Sequence, residues 1–337
     1  MLNISRAKIE DAERLAKCAR EAYSNEISKN YDSKVNNDYP SVECVIHDIK
    51  KYDYYKINLD EEIIGGIYLV SINSVTKRIE DFCIIPKHQN KGYGTKALIQ
   101  LEKMQPNIKL WTLSTPKYSI GNQALYKKLG YQEIGDTKED GVDLVEFEKH
   151  IFAHGERITL EHAKIVDKKL IYDMLISPDV YNLMFDDEHN SPTWEEFNEG
   201  ESDSLFTGIP NDVGSYLLIK IEGTTIGSIS YAKNNGRKKS VELDIWISSN
   251  KYMGKGYGSE AIKLVLENLH NSYEIKTFLI RPWVKNSSAI KSYKKCGFKE
   301  IQNFDPLDYY SIEENEDYGS GDYGKEETVN LIYSYNE

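Results

Sequence analysis

Hydrophobic and polar positions alternate through short β-branched and aromatic runs, and these runs come in two sets. In the first half, YYKINLD, a turn at EE and IIGGIYLVSI predict a hairpin around residues 54–72. In the second, SYLLIKI, a turn at EG and TTIGSISYA predict another around 215–232. A third run follows each hairpin, IEDFCII at 79–85 and VELDIWI at 241–247, and leads through a polar loop into a glycine-opened amphipathic helix. Another strand comes next, IKLWTLST at 108–115 and IKTFLIRP at 275–282. A second helix then ends in nearly the same words, ALYKKLGYQEIG at 124–135 and KSYKKCGFKEIQ at 291–302. Gly130 and Gly297 fall where a helix C-terminus needs a left-handed residue, and the aromatic after each starts a further strand.

Each half therefore reads as strand, helices, three antiparallel strands, helix, strand, helix and a closing strand pair. Gly92 and Gly256 stand almost half a chain apart, and Tyr126 and Tyr293 follow them at nearly equal distances, so the chain reads as one unit repeated. The expected architecture is α/β (α+β): two tandem domains, 1–150 and 151–337, each a mixed, mostly antiparallel sheet flanked by helices. The boundary is expected within KHIFAHGE, 149–156. A length of 337 residues suits two cores better than one.

With 40% hydrophobic and 28% charged residues the chain can fill both cores, which excludes disorder for most of it. Against 42 Lys+Arg stand 54 Asp+Glu, a net charge of −12 that argues against a duplex-DNA binder and favours cationic partners. No run approaches the roughly 20 apolar residues of a membrane span. The opening MLNISRAKIEDAERLAK is amphipathic without a signal-type apolar block, so an unexported, cytoplasmic protein with no membrane partner is expected. Cys18, Cys44, Cys83 and Cys296 are scattered singly, fitting reduced thiols. His150 and His154 have no third ligand nearby in sequence, so no metal is expected.

Closely spaced glycines at a helix start let successive backbone N–H groups converge on a phosphate, where the helix dipole adds positive charge. Neither loop reads GxxxxGK[ST], and three antiparallel strands before the loop exclude a Rossmann unit. The order of elements with Gln89-Asn90-Lys91-Gly92-Tyr93-Gly94 resembles the GCN5-related N-acetyltransferase superfamily, whose loop is Gln/Arg-x-x-Gly-x-Gly/Ala. The resemblance implies acetyl-CoA as co-substrate, its pyrophosphate on the amides of Lys91 to Thr95 and its pantetheine beside Cys83 to Ile85. In the second loop, Met253-Gly254-Lys255-Gly256-Tyr257-Gly258-Ser259, methionine takes the Gln/Arg position, with Gly254 and Lys255 expected to compensate. The C-terminal half is similar to the branch of aminoglycoside 6′-N-acetyltransferases and ribosomal-protein N-terminal acetyltransferases, through Glu242-Leu243-Asp244, the loop, and Pro282-x-x-x-Asn286 to Gly297-Phe298. Aminoglycoside enzymes of that branch usually carry Asp before the proline. Arg281 stands there, and is expected to repel such a substrate.

The resemblance further implies roles for single residues. The backbone N–H of Ile84 and of Ile247 would polarise the thioester carbonyl, Tyr126 and Tyr293 would protonate the CoA sulfur, and Asn286 would bond the pantetheine. In the first half Asn122 stands closer to its tyrosine, and Ser119 holds the seven-residue position. Asp244, and in the first half Glu80 or Asp81, would accept a proton or orient a cationic amine. Between Asp305 and Glu327 lie nine acidic residues and one lysine with tyrosines interleaved, which reads as a solvated loop or as a lid attracting a cationic acceptor; the stretch 186–203 is the other acceptor-loop candidate. The expected activity is N-acetyl transfer to a primary amine of a small, cationic molecule, an amine-containing antibiotic among them. The C-terminal domain is the expected site of transfer. A protein N-terminus or lysine is the runner-up acceptor, and a non-catalytic acyl-CoA-binding module is the alternative from another class. No nucleic-acid partner is expected, and a homodimer is left open.

Overall fold

The computed structural model describes residues 1–30, 40–139, 141–186 and 188–335, the side chains of 25–30 excepted. The chain divides into two compact units, Met1–His150 and Ile151–Glu337.

The first unit runs β1 (Leu2–Arg6), α1 (Ala12–Asn30), α2 (Val42–Lys51), β2 (Asp53–Leu59), β3 (Glu62–Ser71), β4 (Thr76–Ile84), α3 (Tyr93–Lys103), β5 (Leu110–Pro116), α4 (Ile120–Lys128), β6 (Gln132–Glu139) and β7 (Val142–His154), whose last residues belong to the second unit. Its sheet has the order β1-β2-β3-β4-β5-β7 with β6 on β7. Every pairing is antiparallel except β4 with β5, where a connection through α3 makes the strands parallel. Leu15 and Ala16 of α1 and Val45 of α2 pack over Tyr54.

In the second unit the order is β8 (Thr159–His162), α5 (Lys168–Leu175), α6 (Pro178–Met184), α7 (Trp194–Gly200), β9 (Gly214–Ile221), β10 (Thr224–Asn234), β11 (Ser240–Ile247), α8 (Tyr257–Tyr273), β12 (Thr277–Ile280), α9 (Ser287–Lys295), β13 (Lys299–Glu300), α10 (Ile312–Tyr318), α11 (Gly324–Glu327) and β14 (Leu331–Ser334). Its sheet runs β8-β9-β10-β11-β12-β14-β13, with β11 and β12 as the parallel pair. Alternation along β9 serves two cores: Leu217 and Ile219 pack with the apolar face of α8, while Tyr216 and Leu218 pack with α5 to α7. Both faces of this sheet are therefore covered.

In each unit the parallel pair parts early. β4 pairs β5 only from Thr76 to Arg78, and β11 pairs β12 only from Ser240 to Leu243, although β4 and β11 both run on. This divergence opens a gap in the sheet, and the glycine loops stand at its end.

The segment 305–327 is not a bare loop. Ser311 caps α10 by accepting the Glu314 N–H, and Glu314 in turn accepts the Ser311 N–H and binds the Asn235 amide. Lys238 pairs with Asp308 at 2.6 Å and Arg237 with Asp305 at 2.7 Å, so part of the acidic run is held by cations of the β10–β11 turn.

Candidate active site

Four residues fix the geometry at the parting strands. Gly65 faces Ile84 and Gly227 faces Ile247. A Cβ on either glycine would run into a carbonyl oxygen, that of Cys83 or of Trp246. Next along, Ile85 donates to the Ile64 carbonyl and Ser248 to the Ile226 carbonyl, each at 2.9 Å. By antiparallel alternation, the N–H groups of Ile84 and Ile247 point away from β3 and β10, towards the gap. Ile85 differs from the expectation of a cofactor contact: it is buried, and its own N–H is used by Ile64.

Gly92 and Gly256 precede α3 and α8 with φ of 78° and 83°, left-handed values that favour glycine. The first loop, with Ile84, Gln89, Asn90, Gly92, Gly94, Thr95 and Asn122, lines a cavity of about 510 Å³. The second, with Ile247, Gly254, Gly256, Tyr257, Gly258 and Ser259, lines one of about 490 Å³. Lys91, Tyr93 and Lys255 are not among the described residues on these walls. Lys91 and Lys255 turn out to solvent, and the Tyr93 ring meets the edge of His88.

The two tyrosines part company here. Tyr293 is buried and lines both the 490 Å³ cavity and a neighbouring one of about 400 Å³. Tyr126 packs between Tyr131 and Phe147, with ring centroids 5.9 Å away in each case, and is not among the described residues lining the first unit's cavity. Asn286, seven residues before Tyr293, lines both cavities of the second unit, but its side chain has partners: Oδ1 accepts the Ala289 N–H and Nδ2 donates to the Leu183 carbonyl. It caps α9, as Ser119 holds the N-cap position of α4.

The 400 Å³ cavity is lined by Glu201, Glu242, Asp244, Glu314 and Asp322 against Lys233 and Arg281, with Tyr216, Trp283, Tyr310, Tyr318 and Tyr323 among its aromatic walls. Five of these, Glu314, Asp322, Tyr310, Tyr318 and Tyr323, come from the segment 305–327. The 186–203 stretch contributes Glu201, and Asp187 lies outside the described residues. Tyr323 stacks on Trp283 at 5.4 Å, and Trp283 Nε1 donates to Glu327.

Arg281 does not act as a bare positive charge. Its Nε donates to Glu242 at 2.6 Å, its guanidinium lies 4.8 Å from the Tyr310 ring centre, and the Tyr310 hydroxyl donates to the same carboxylate at 2.7 Å. Arg281 is thus paired with Glu242, which leaves Glu201, Asp244, Glu314 and Asp322 facing Lys233 on the remaining walls.

Asp244 is exposed towards the cavity, with the protein that walls the cavity around it. Desolvation by those walls, followed by the charge of Asp322, lifts its carboxyl to about 7. Tyr293 is pushed up by burial and then by the Asp244 charge, so the phenol stays protonated at neutral pH.

Register locates the first unit's counterparts. Asp244 faces Ser230 three residues on from Gly227, and Glu80 faces Tyr68 three residues on from Gly65, so Glu80 and Asp244 are equivalent. Glu80, however, is bound by Arg78 at 2.6 Å, and Arg78 also holds Glu146 and Ser114. The expected proton acceptor is thus tied into an ion-pair network. A bulge sets Asp81 and Phe82 opposite the single Ile67, and Asp81 takes a left-handed φ of 47°. Burial, followed by the charges of Asp48 and Glu80, raises the Asp81 carboxyl to about 6.

The signals for Gly65 and Gly227 stood in the matching words IIGG and TIGS, while the ring of carboxylates around Asp244 comes from segments up to 121 residues apart.

Comparison with known proteins adds the family. Models described as acetyltransferase (GNAT) domains match residues 50–133 and 157–299. No curated relative matches the chain. Among solved structures, the PaiA N-acetyltransferase of Thermoplasma acidophilum in complex with coenzyme A is 20% identical, covering 43% of this chain and 98% of its own, with a TM-score of 0.38. The aminoglycoside acetyltransferase AAC(6′)-Ib in complex with coenzyme A is 16% identical, covering 52% and 94%, with a TM-score of 0.39. An IAA acetyltransferase from Bacillus cereus is 18% identical, covering 44% and 99%, with a TM-score of 0.34. The chain belongs to the GNAT acetyltransferases, with one such domain matched in each half.

Proposed function

We propose that the second unit transfers the acetyl group of acetyl-CoA to a primary amine of a small cationic acceptor. The observation that carries this reading is the position of Tyr293. It lines both the cavity of the glycine loop and the carboxylate-lined cavity, together with Met184, Ile245 and Asn286. A donor held on the loop amides and an acceptor held among the carboxylates would meet at this phenol.

The glycine loop fits the donor's phosphates because its amides open a helix of 17 residues. Asp244 takes a proton from the arriving ammonium, leaving a neutral nitrogen to attack the thioester carbonyl carbon. The Ile247 N–H receives the carbonyl oxygen as charge develops there. As the C–N bond forms and the C–S bond breaks, Tyr293 protonates the departing sulfur, and the second proton lost by the nitrogen restores the Tyr293 phenol.

In the first unit the loop and its cavity suit the same donor, but Glu80 is engaged by Arg78 and Tyr126 sits in the core. These features support donor binding there without transfer. The test is free-thiol release from acetyl-CoA with a panel of polyamines, aminoglycosides and lysine peptides, beside calorimetric titration of CoA. Thiol release with the small cations that disappears in Tyr293→Phe is expected. CoA binding with background turnover across the panel would overturn the transferase reading for these acceptors.

A further inference from the structure

The two glycine loops are anchored differently. In the first, Gln89 Nε2 donates to the Ile84 carbonyl at 2.8 Å and ties the loop to the end of β4. Met253 holds the corresponding place in the second loop, has no polar hydrogen, and packs against the apolar cluster around Trp246. A residue almost a hundred positions upstream holds this loop by a different bond. Arg157, just before β8, donates from Nη1 to the Lys255 carbonyl at 2.7 Å. Glu260, in the first turn of α8, holds that guanidinium through Nε at 2.8 Å and accepts the Arg157 backbone N–H at 2.8 Å. The guanidinium lies 5.0 Å from the Tyr257 ring centre.

The consequence follows from peptide geometry. In a trans peptide the carbonyl and the next N–H point in opposite directions. Fixing the Lys255 oxygen on Arg157 therefore aims the Gly256 N–H to the other side of the loop. Glu260, in the first turn of α8, pairs with the Arg157 charge, so the arginine acts here through its hydrogen-bond geometry. Its Nη2 has no hydrogen-bond partner among the described residues and lies 3.3 Å from where a Cβ on Gly256 would stand.

Resting on the acetyl-CoA reading above, we propose that Arg157 is a positioning residue for the donor's pyrophosphate. It holds the second loop so that the Gly256 amide meets a phosphate oxygen. Lysine in its place keeps a charge but not the fork that binds the Lys255 carbonyl and Glu260 together.

The test compares wild type with Arg157→Ala and Arg157→Lys in the full chain. Binding of CoA, 3′-dephospho-CoA and acetyl-pantetheine is measured by calorimetry, and KM and kcat where turnover is seen. Site-specific loss is read on a background in which the first unit's loop is weakened by Gly92→Val. Arg157→Ala is expected to weaken CoA and dephospho-CoA by a similar factor of about tenfold or more, as for loss of a charge-assisted contact, and to leave acetyl-pantetheine unchanged. KM for acetyl-CoA should rise by the same factor at constant kcat, with KM for the amine unmoved. Arg157→Lys should recover only part of the loss. Equal weakening of acetyl-pantetheine would overturn the proposal in favour of a general structural role, and unchanged CoA affinity would overturn it outright. A loss for CoA that vanishes with dephospho-CoA would move the contact to the 3′-phosphate and overturn the pyrophosphate assignment. Should Arg157→Ala fail to fold, Arg157→Lys carries the same comparison. Wild type that binds no CoA at all would instead sink the acetyl-CoA reading itself.

Discussion

Removing the Asp244 charge tests the proposed chemistry most directly. The protein around the cavity and the nearby Asp322 lift this carboxyl to about 7, so it changes charge across neutral pH. If Asp244 takes the amine proton, kcat/KM for the amine should rise with pH along a limb centred near 7. Asp244→Asn should lose that limb and fall by about 10²–10⁴-fold, the range for a positioned acid or base. Asp322→Asn removes the largest charge acting on Asp244, so its limb should move to lower pH with the plateau retained in part. Stability supplies a control of opposite sign. A carboxyl whose folded value lies above its unfolded one favours folding most below the unfolded value, and that contribution is lost as pH rises through about 7. Asp244→Asn should accordingly be more resistant to heat than wild type at alkaline pH and not at acid pH. Thiol-release kinetics and thermal melts across about pH 4 to 9 read both effects. A wild-type profile flat through 7, or Asp244→Asn within about threefold of wild type, would refute the assignment.

Three further outcomes follow from the geometry. Tyr293→Phe should lower kcat by about 10²-fold or more with CoA affinity retained in calorimetry, whereas Tyr126→Phe should leave turnover near wild type because that ring packs on Tyr131 and Phe147 and is not among the described residues lining the 510 Å³ cavity. Gly227→Ala should destabilise by about 1–3 kcal/mol in denaturant melts, because the new methyl runs into the Trp246 carbonyl and the neighbouring strand must shift. Tyr310→Phe removes the hydroxyl that donates to Glu242 and should lower stability by about 1.5–3 kcal/mol, the range for a hydrogen bond to a charged group, with a raised KM for the amine; an unchanged melt would mean that Arg281 alone holds Glu242.

Much of the fold was readable because local signals agree. The hairpins, the glycine-opened helices and the glycines after α4 and α9 each follow from period, turn chemistry and capping over a few residues. A further repeated signal lies at the start of each unit. Ala-Lys-Ile-x-Asp recurs at 7–11 and 163–167, and in both copies the aspartate accepts the lysine's backbone N–H, at 2.8 and 2.9 Å, to start the helical turn. The acidic run 305–327 was read as a solvated loop or a lid because nine carboxylates in 23 residues look unable to pack. Lys238, Arg237 and Asn235, brought up by the β10–β11 turn, hold three of them, and the interleaved tyrosines then form a wall.

By itself the amino-acid sequence determined that the unit occurs twice and where glycines place amides for an anion, since backbone geometry is set by neighbours within a turn or two. Only the tertiary structure distinguished the copies. Glu80 and Asp244 hold the same place in the register, yet one is tied into an ion pair with Arg78, while desolvation by the surrounding walls and then the charge of Asp322 raise the other to about 7. Tyr126 and Tyr293 end nearly identical helices, yet one is core and the other a wall between two cavities. The same holds for the second loop, whose anchor at Arg157 lies 98 residues from the carbonyl it binds. Such differences depend on which side chains the fold brings together from distant segments, and no local pattern encodes that.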